Sequence, residues 1–255
     1  MGFRYLNRVA SAEHIQEFLD LADLAAGGTD DAGNVFELSR RLTGSPMTRC
    51  LRRLHKEPAA AALIQSRRLC GPYDVAAMKQ LPKGSLGYTY ATVMEALGYD
   101  IDFFPDPAFY NNLESEGDYV NYRVYATHDL HHILSGYSLD NFGELGVISI
   151  SVGQFSFPGF SFINLVGLML SFFKTDKADE DFTSTEEYAD SIGYSYELMN
   201  QGMEMGIRAK PLFPVIWEER MAQDLEELRR ELGIEPVREG LYSWYSNPAI
   251  RAALA

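Results

Sequence analysis

An all-α fold, in one helical domain, is predicted by three observations. Apolar residues recur at helical spacing in several separate stretches. Caps and breakers stand between those stretches. Alternating strand patterns are thin throughout. The 255 residues are 46% hydrophobic and 23% charged, which is the composition of a folded protein rather than a disordered one.

Taken in order, residues 4–26 form an amphipathic helix with Ile15, Phe18, Leu19 and Ala22 in register, ended by Gly27-Gly28. Ser45-Pro46 reads as a cap followed by proline at the first helical position. Ala59–Cys70 is the next run and stops at Gly71-Pro72. The loop Leu81–Ser85 opens a helix carrying Leu86, Tyr90, Val93 and Leu97, closed by Gly98. Prolines, asparagines and a glycine make 103–117 a loop. Tyr119–Ser135 is again helical.

Leu145–Phe173 then runs 29 residues without a charge. Pro158-Gly159 divides it into pieces of 13 and 14 residues, each short of the ~18–20 that a helix needs to cross a bilayer. Two buried core helices are expected, with the wall of an apolar pocket or a membrane-facing patch as the sharper reading. Lys174–Thr183 is a charged connection, and Ser184 with Glu187 a capping box. Ile192, Tyr196, Met199 and Met203 follow as one stripe. Pro211 and Pro214 break the chain, and Trp217, Met221, Leu225, Leu228 and Leu232 line a last helix. Its other face is charged, with Glu226 and Arg230 paired at i,i+4.

Thirty-six acids against 22 bases give a net charge of −14. Such a chain repels phosphate backbones, and with no basic stripe evident no nucleic-acid partner is expected. Two cysteines, Cys50 and Cys70, exclude a disulfide framework and a four-cysteine zinc site, and suit a reducing compartment. The first twenty residues lack an apolar run and carry Glu13, Glu17 and Asp20, so neither a signal nor a transit peptide is expected. A cytoplasmic location is the expectation.

The chemistry concentrates in THDLHHILSGYSLDNFGE. On a helix, His128 and His132 lie one turn apart and converge on one ion. Asp129 is about 100° round from His128 and offers a carboxylate as ligand or base. His131 points away. Gly136-Tyr137-Ser138 is a helix break, and a new helix beginning near Asp140 carries Glu144. If the chain doubles back at Gly136, Glu144 reaches the histidines. One continuous helix would leave it about 18 Å beyond His132. Two nitrogen and two oxygen donors, His128, Asp129, His132 and Glu144, fit zinc best, with ferrous iron or manganese also suited. The expected architecture is therefore a metal site on a helix-turn-helix hairpin beside a hydrophobic cavity. The bland role for Glu144 is an acid meeting a helix dipole.

The string H-D-x-x-H, eleven residues, then E, formed by His128, Asp129, His132 and Glu144, resembles the signature of the coenzyme Q (ubiquinone) biosynthesis protein family, the fourth of the Coq proteins. LPKGSLGYTYA at Leu81–Ala91, YRVYATHDLHHILSGYS, and GMEMGIRAKPLFPVIWEERMAQDLEELRRELGI resemble three of its blocks, in order, within about residues 40–235. The resemblance implies a helical, dimeric protein binding a divalent metal, usually taken as zinc, through those four residues. It implies an isoprenoid-tailed ligand in a hydrophobic tunnel. It implies peripheral association with the inner face of the membrane where quinones are made, and contact with other quinone-biosynthesis proteins. Two roles follow from it: a metal-dependent decarboxylase (lyase), removing the ring carboxylate of a polyprenyl 4-hydroxybenzoate-type precursor, with or without replacement by hydroxyl, or a non-catalytic lipid carrier or scaffold with a structural metal. In the first, Asp129 or Glu144 shuttles the proton.

The expected organisation is an N-terminal amphipathic helix and linker over 1–40, a metal- and lipid-binding helical domain over 41–235, and a tail over 236–255. Two rival chemistries share residues with this reading. A zinc hydrolase would use His128-Asp129-x-x-His132 as a variant of H-E-x-x-H, with aspartate one methylene short for a general base. A phosphohydrolase would draw on His55, His128, Asp129 and Asp140.

Overall fold

Helix boundaries follow local side-chain chemistry along the whole chain. They are seen in a computed structural model, which describes residue 5 and residues 8–29, 32–99, 104–175 and 191–255. Ser11 caps α1 (Ala12–Ala26), accepting from the His14 amide, so the helix starts eight residues later than the periodicity places it. α2 (Ala32–Arg41), α3 (Ser45–Leu54) and α4 (Pro58–Ser66) follow, the last two with proline in the first turn. α5 (Val75–Met78) is a single turn capped by Asp74. α6 (Leu86–Leu97) lies between the Ser85 cap and Gly98, as the sequence predicts. The expected loop before α7 holds a 3-10 segment, Pro107–Leu113. Among the described residues there are no strands, only two isolated bridges.

The centre of the fold is α7 (Glu116–Ser135), capped by Ser115. It contacts α2, α3, α4, α6 and α8 (Asn141–Phe155). A helix surrounded on all sides shows no amphipathic stripe. Several of its buried polar groups are paired across the fold. Arg123, 2% exposed, donates to the carbonyls of Phe213 and Val215 at 2.8 and 2.7 Å. Asn121 donates to the Ser39 carbonyl, and Thr127 and Ser135 to carbonyls one turn back.

The long uncharged stretch is two helices, α8 and α9 (Pro158–Thr175), separated at Ser156 and Phe157. No described helix is long and apolar enough to cross a membrane. α8 is core. α9 is core only in part, because Leu165, Leu170, Phe172 and Phe173 are exposed. α1 packs on α9 through the Phe18 and Phe162 rings, 5.4 Å apart.

α10 (Ile192–Arg208) is capped by Ser191; the expected Ser184/Glu187 box lies outside the described residues. Tyr196, placed on the stripe by periodicity, is exposed. The buried face is instead rich in small residues, with Ser195, Gly202 and Gly206 beside Leu198 and Met205. The reason is close approach to α8. A Cβ at Gly202 would strike the Gly146 carbonyl, and one at Gly206 the Ile150 carbonyl.

The predicted helix from Trp217 to Leu232 is a 3-10 turn, Trp217–Glu219, followed by α11 (Leu225–Leu232). The intervening backbone bonds elsewhere. The Met221 and Gln223 carbonyls accept from Gly87 and Leu86, and the Leu225 amide donates to Gly84. All five predicted apolar residues are nonetheless buried. Glu226 pairs with Arg229 and Arg238 rather than Arg230. Residues 236–255 pack on the domain, α12 (Pro248–Leu254) against α6. α3 carries a short basic face, exposed Arg49, Arg52 and Arg53, that the net charge hides.

The α8–α10 contact makes a prediction. Gly202→Ala forces two backbones apart and should lower stability by about 1–3 kcal/mol. Gly193→Ala, on the same helix but exposed and meeting only the Ser191 hydroxyl at an ordinary 3.9 Å, should leave the melting temperature unchanged or raise it slightly. Thermal unfolding of the two variants checks this.

Candidate metal centre

The hairpin is built by the residues between α7 and α8. Gly136 ends α7 with φ 83°, a left-handed cap that glycine adopts without strain. A Cβ there would also meet the Val237 backbone. The Asp140 carboxylate accepts from the Ser138 hydroxyl at 2.6 Å and from the Gly143 amide at 3.3 Å, which starts α8. Glu144 therefore stands in the first turn of α8, facing back along α7.

His128, His132 and Glu144 converge. His128 Nε2 is 3.3 Å from Glu144 Oε2, and His132 Nε2 is 3.2 Å from Oε1. The two imidazoles meet edge to face with ring centroids 4.7 Å apart. Each ring is held from behind. His132 Nδ1 lies 3.2 Å from the Tyr137 carbonyl, and His128 Nδ1 lies 3.3 Å from Asp129 Oδ1. Both partners are acceptors, so each Nδ1 is the donor and each neutral ring presents an Nε2 lone pair forward.

That arrangement lacks a donor. Two lone pairs face a carboxylate, which also only accepts. His128 Nε2 is buried and makes no hydrogen bond. A cation is needed between them. Donors about 2.0–2.1 Å from a tetrahedral zinc lie about 3.3 Å apart, close to the two nitrogen-to-oxygen distances, each of which runs to a different oxygen of the one carboxylate. In the metal-free protein a proton supplies the charge. Burial opposes a charged His128, yet the Glu144 carboxylate and the Asp129 hydrogen bond prevail and push it up to about 10. Burial likewise opposes the charge on Glu144, but the two imidazoles hold its carboxyl well below the usual carboxylate range. The residues present fit a divalent ion held by His128, His132 and Glu144.

Asp129 sits behind His128 rather than among the converging three. Its side chain is 45% exposed. His131 is buried beside Trp217, ring centroids 6.0 Å apart, and burial pushes it down to about 3. It is a neutral core histidine. His55 pairs with Glu116, at the opposite end of α7, about 18 Å of helix from His128. Asp140 caps α8. The constellation a phosphohydrolase would need is thus not assembled.

The apolar neighbour of the site is Phe160 of α9, 5.5 Å from the His128 ring. Two cavities, of about 430 and 260 Å³, lie elsewhere: one behind the α7–α8 turn against Trp244 and Ile250, the other between α3 and the end of α8. Neither is lined by the three converging residues.

Sequence reasoning misses Tyr137 as the partner of His132, because a backbone carbonyl leaves no residue-type signal. It also misses Arg229 and Trp244, which bond the end of α7. Trp244 gives no signal. Arg229 does: with Leu225, Leu228 and Leu232 it completes an i, i+4, i+3, i+7 set, an arginine within an apolar stripe.

Comparison with known proteins extends beyond the site. The family model described as "Coenzyme Q (ubiquinone) biosynthesis protein Coq4" matches residues 18–238. The mitochondrial ubiquinone biosynthesis protein COQ4 of Clavispora lusitaniae is 28% identical over 209 residues, 81% of this chain and 60% of that protein. That of Yarrowia lipolytica is 28% identical over 182 residues, 71% of this chain and 63% of that protein. The chain thus spans less than two thirds of the length of these curated relatives. A crystal structure of a candidate ubiquinone biosynthesis protein from Nostoc punctiforme shares the fold, with a TM-score of 0.68 at 21% identity over 86% of this chain and 95% of that one. With a match running through most of its length, the chain belongs to the Coq4 family of coenzyme Q (ubiquinone) biosynthesis proteins.

Proposed function

We propose that this chain serves ubiquinone biosynthesis as a metal-dependent decarboxylase acting on a polyprenylated 4-hydroxybenzoate-type ring. The observation that carries the reading is the donorless meeting of two imidazole nitrogens and a carboxylate at 3.2–3.3 Å. His128, His132 and Glu144 hold the ion, zinc by donor chemistry, with ferrous iron or manganese suited to the same set. The bound ion supplies positive charge for the carboxylate or ring oxygen of the substrate and for the charge that develops as carbon dioxide leaves.

The residues divide the remaining work. In the reaction the bond between ring carbon and carboxylate breaks, its electron pair stays on the ring carbon, and a proton takes the vacated position. Glu144 is held as a carboxylate by the two histidines and serves as ligand. Asp129, accessible to solvent and touching His128, is the group that moves the proton. Phe160 gives the site an apolar side, where the substrate's tail begins.

The exposed apolar residues of α9 support a peripheral contact with the membrane that holds the lipid substrate. They also favour a second reading, a carrier or assembly platform for other quinone-biosynthesis proteins, working as a dimer, in which the metal is structural.

Elemental analysis of the purified protein should find about one divalent ion per chain. His128→Ala and His132→Ala should each remove it and leave the helical circular-dichroism spectrum in place; variants that keep stoichiometric metal refute the ligand set. Asp129→Asn should keep the ion, bound about 10–100-fold more weakly, and cut turnover by about 10²–10⁴. Carbon dioxide release from a prenylated 4-hydroxybenzoate by metal-loaded protein, abolished by a chelator, is the expected activity. Tight binding of that compound without release would establish the carrier.

A further inference from the structure

We propose that Arg229 and Trp244 are positioning residues for the metal centre, acting through the last turn of α7 to fix the ring of His132. The inference rests on the metal-binding reading above and assigns the stretch 237–245, most of it beyond the 18–238 span of the family match, a part in that site.

The last carbonyls of a helix have no partner within it and are ordinarily left to water or a simple cap. At the end of α7, five consecutive carbonyls, 132–136, are bonded by the C-terminal part of the chain, and the first of them, that of His132, also accepts from the Gly136 amide at 2.9 Å. Trp244 Nε1 donates to the His132 carbonyl at 2.9 Å. Arg229 spans the next two, Nη2 to Ile133 at 2.6 Å and Nε to Leu134 at 2.8 Å. The Val237 amide donates to Ser135 at 2.7 Å and the Trp244 amide to Gly136 at 3.0 Å. The Ser138 amide in turn donates to Tyr242 at 2.7 Å. Tyr137 is thereby held on both sides, and its carbonyl is the one that faces His132 Nδ1. That contact sets which ring nitrogen carries the proton and which faces Glu144.

The clamp is itself rigid. Arg229 and Trp244 are each 1% exposed. The Trp244 and Tyr245 rings stack with centroids 3.7 Å apart. Arg229 bonds the Tyr245 hydroxyl and the Glu226 carboxylate as well, and its charge sits at the negative end of the α7 dipole. By comparison, α6 ends on Gly98 with backbone bonds alone.

Trp244→Phe removes the N–H and keeps a stacking ring. Trp217→Phe is its control, because Trp217 is buried and its Nε1 bonds nothing. Arg229→Lys keeps the charge and loses the fork across two carbonyls. Three quantities are read on the full chain: zinc affinity by competition with a chromophoric chelator, the visible spectrum of the cobalt(II)-loaded protein, and the nitrogen-15 shifts of the His132 ring without metal. Trp244→Phe and Arg229→Lys should each weaken zinc by about 10-fold or more, alter the cobalt spectrum and populate the other His132 tautomer. Trp217→Phe should change none of these. A fall in melting temperature with all three quantities unchanged overturns the proposal and leaves a merely structural clamp. Should the parent chain bind neither metal, the metal reading fails. The ring shifts then decide alone: an unchanged His132 tautomer in both variants overturns the positioning role, and a changed one supports it. If Trp244→Phe does not fold, Arg229→Lys is judged by the same measurements.

Discussion

The meeting of Glu144 with His128 and His132 is the contact around which the molecule is arranged. Opposing lone pairs repel, so three acceptors at 3.2–3.3 Å persist only with positive charge among them. The protein commits structure to keeping them there. Asp129 and the Tyr137 carbonyl engage the rear nitrogens of both rings, so neither imidazole can turn away and satisfy itself elsewhere. Partners of this kind orient ligands and raise their basicity, the usual construction behind metal-bound histidines.

The rest of the fold supplies the two halves of that contact from separate elements. α7 brings the histidines, packed among its neighbours and fixed by bonds such as those of Arg123 to the loop at 213–215. α8 brings the acid, on a turn tightened by Asp140 and Gly136. The C-terminal residues close over the joint between them. Without that closure the turn would be an exposed loop, and exposed loops make poor foundations for a site whose geometry must hold to about half an ångström.

Much of this was legible in the residue pattern. The spacing of His128, His132 and Glu144 around a glycine break predicts a hairpin that brings them together, and the structure has that hairpin. Helical periodicity locates α6, α7 and the broken pair α8 and α9. Two kinds of feature escaped it. Where helices touch through small residues, large apolar residues no longer mark the buried face, so Tyr196 reads as core and is exposed while Gly202 and Gly206 are buried. Where backbone bonds to backbone, no residue type records the contact, so the run from Trp217 to Leu232 reads as one helix although its middle pairs with residues 84–87. The sequence leaves Asp129 open between ligand and base, because one residue along a helix decides only direction; the contact behind His128 is a matter of rotamer.

The glycine contact of α10 has a bearing on the centre that distance along the chain conceals. Gly146, whose carbonyl abuts Gly202, lies two residues after Glu144. Main chain resting on main chain leaves no compressible side chain in between, so at that point α8 has no slack toward α10. The acid that faces the two imidazoles is thereby rooted about half a turn from an incompressible seat.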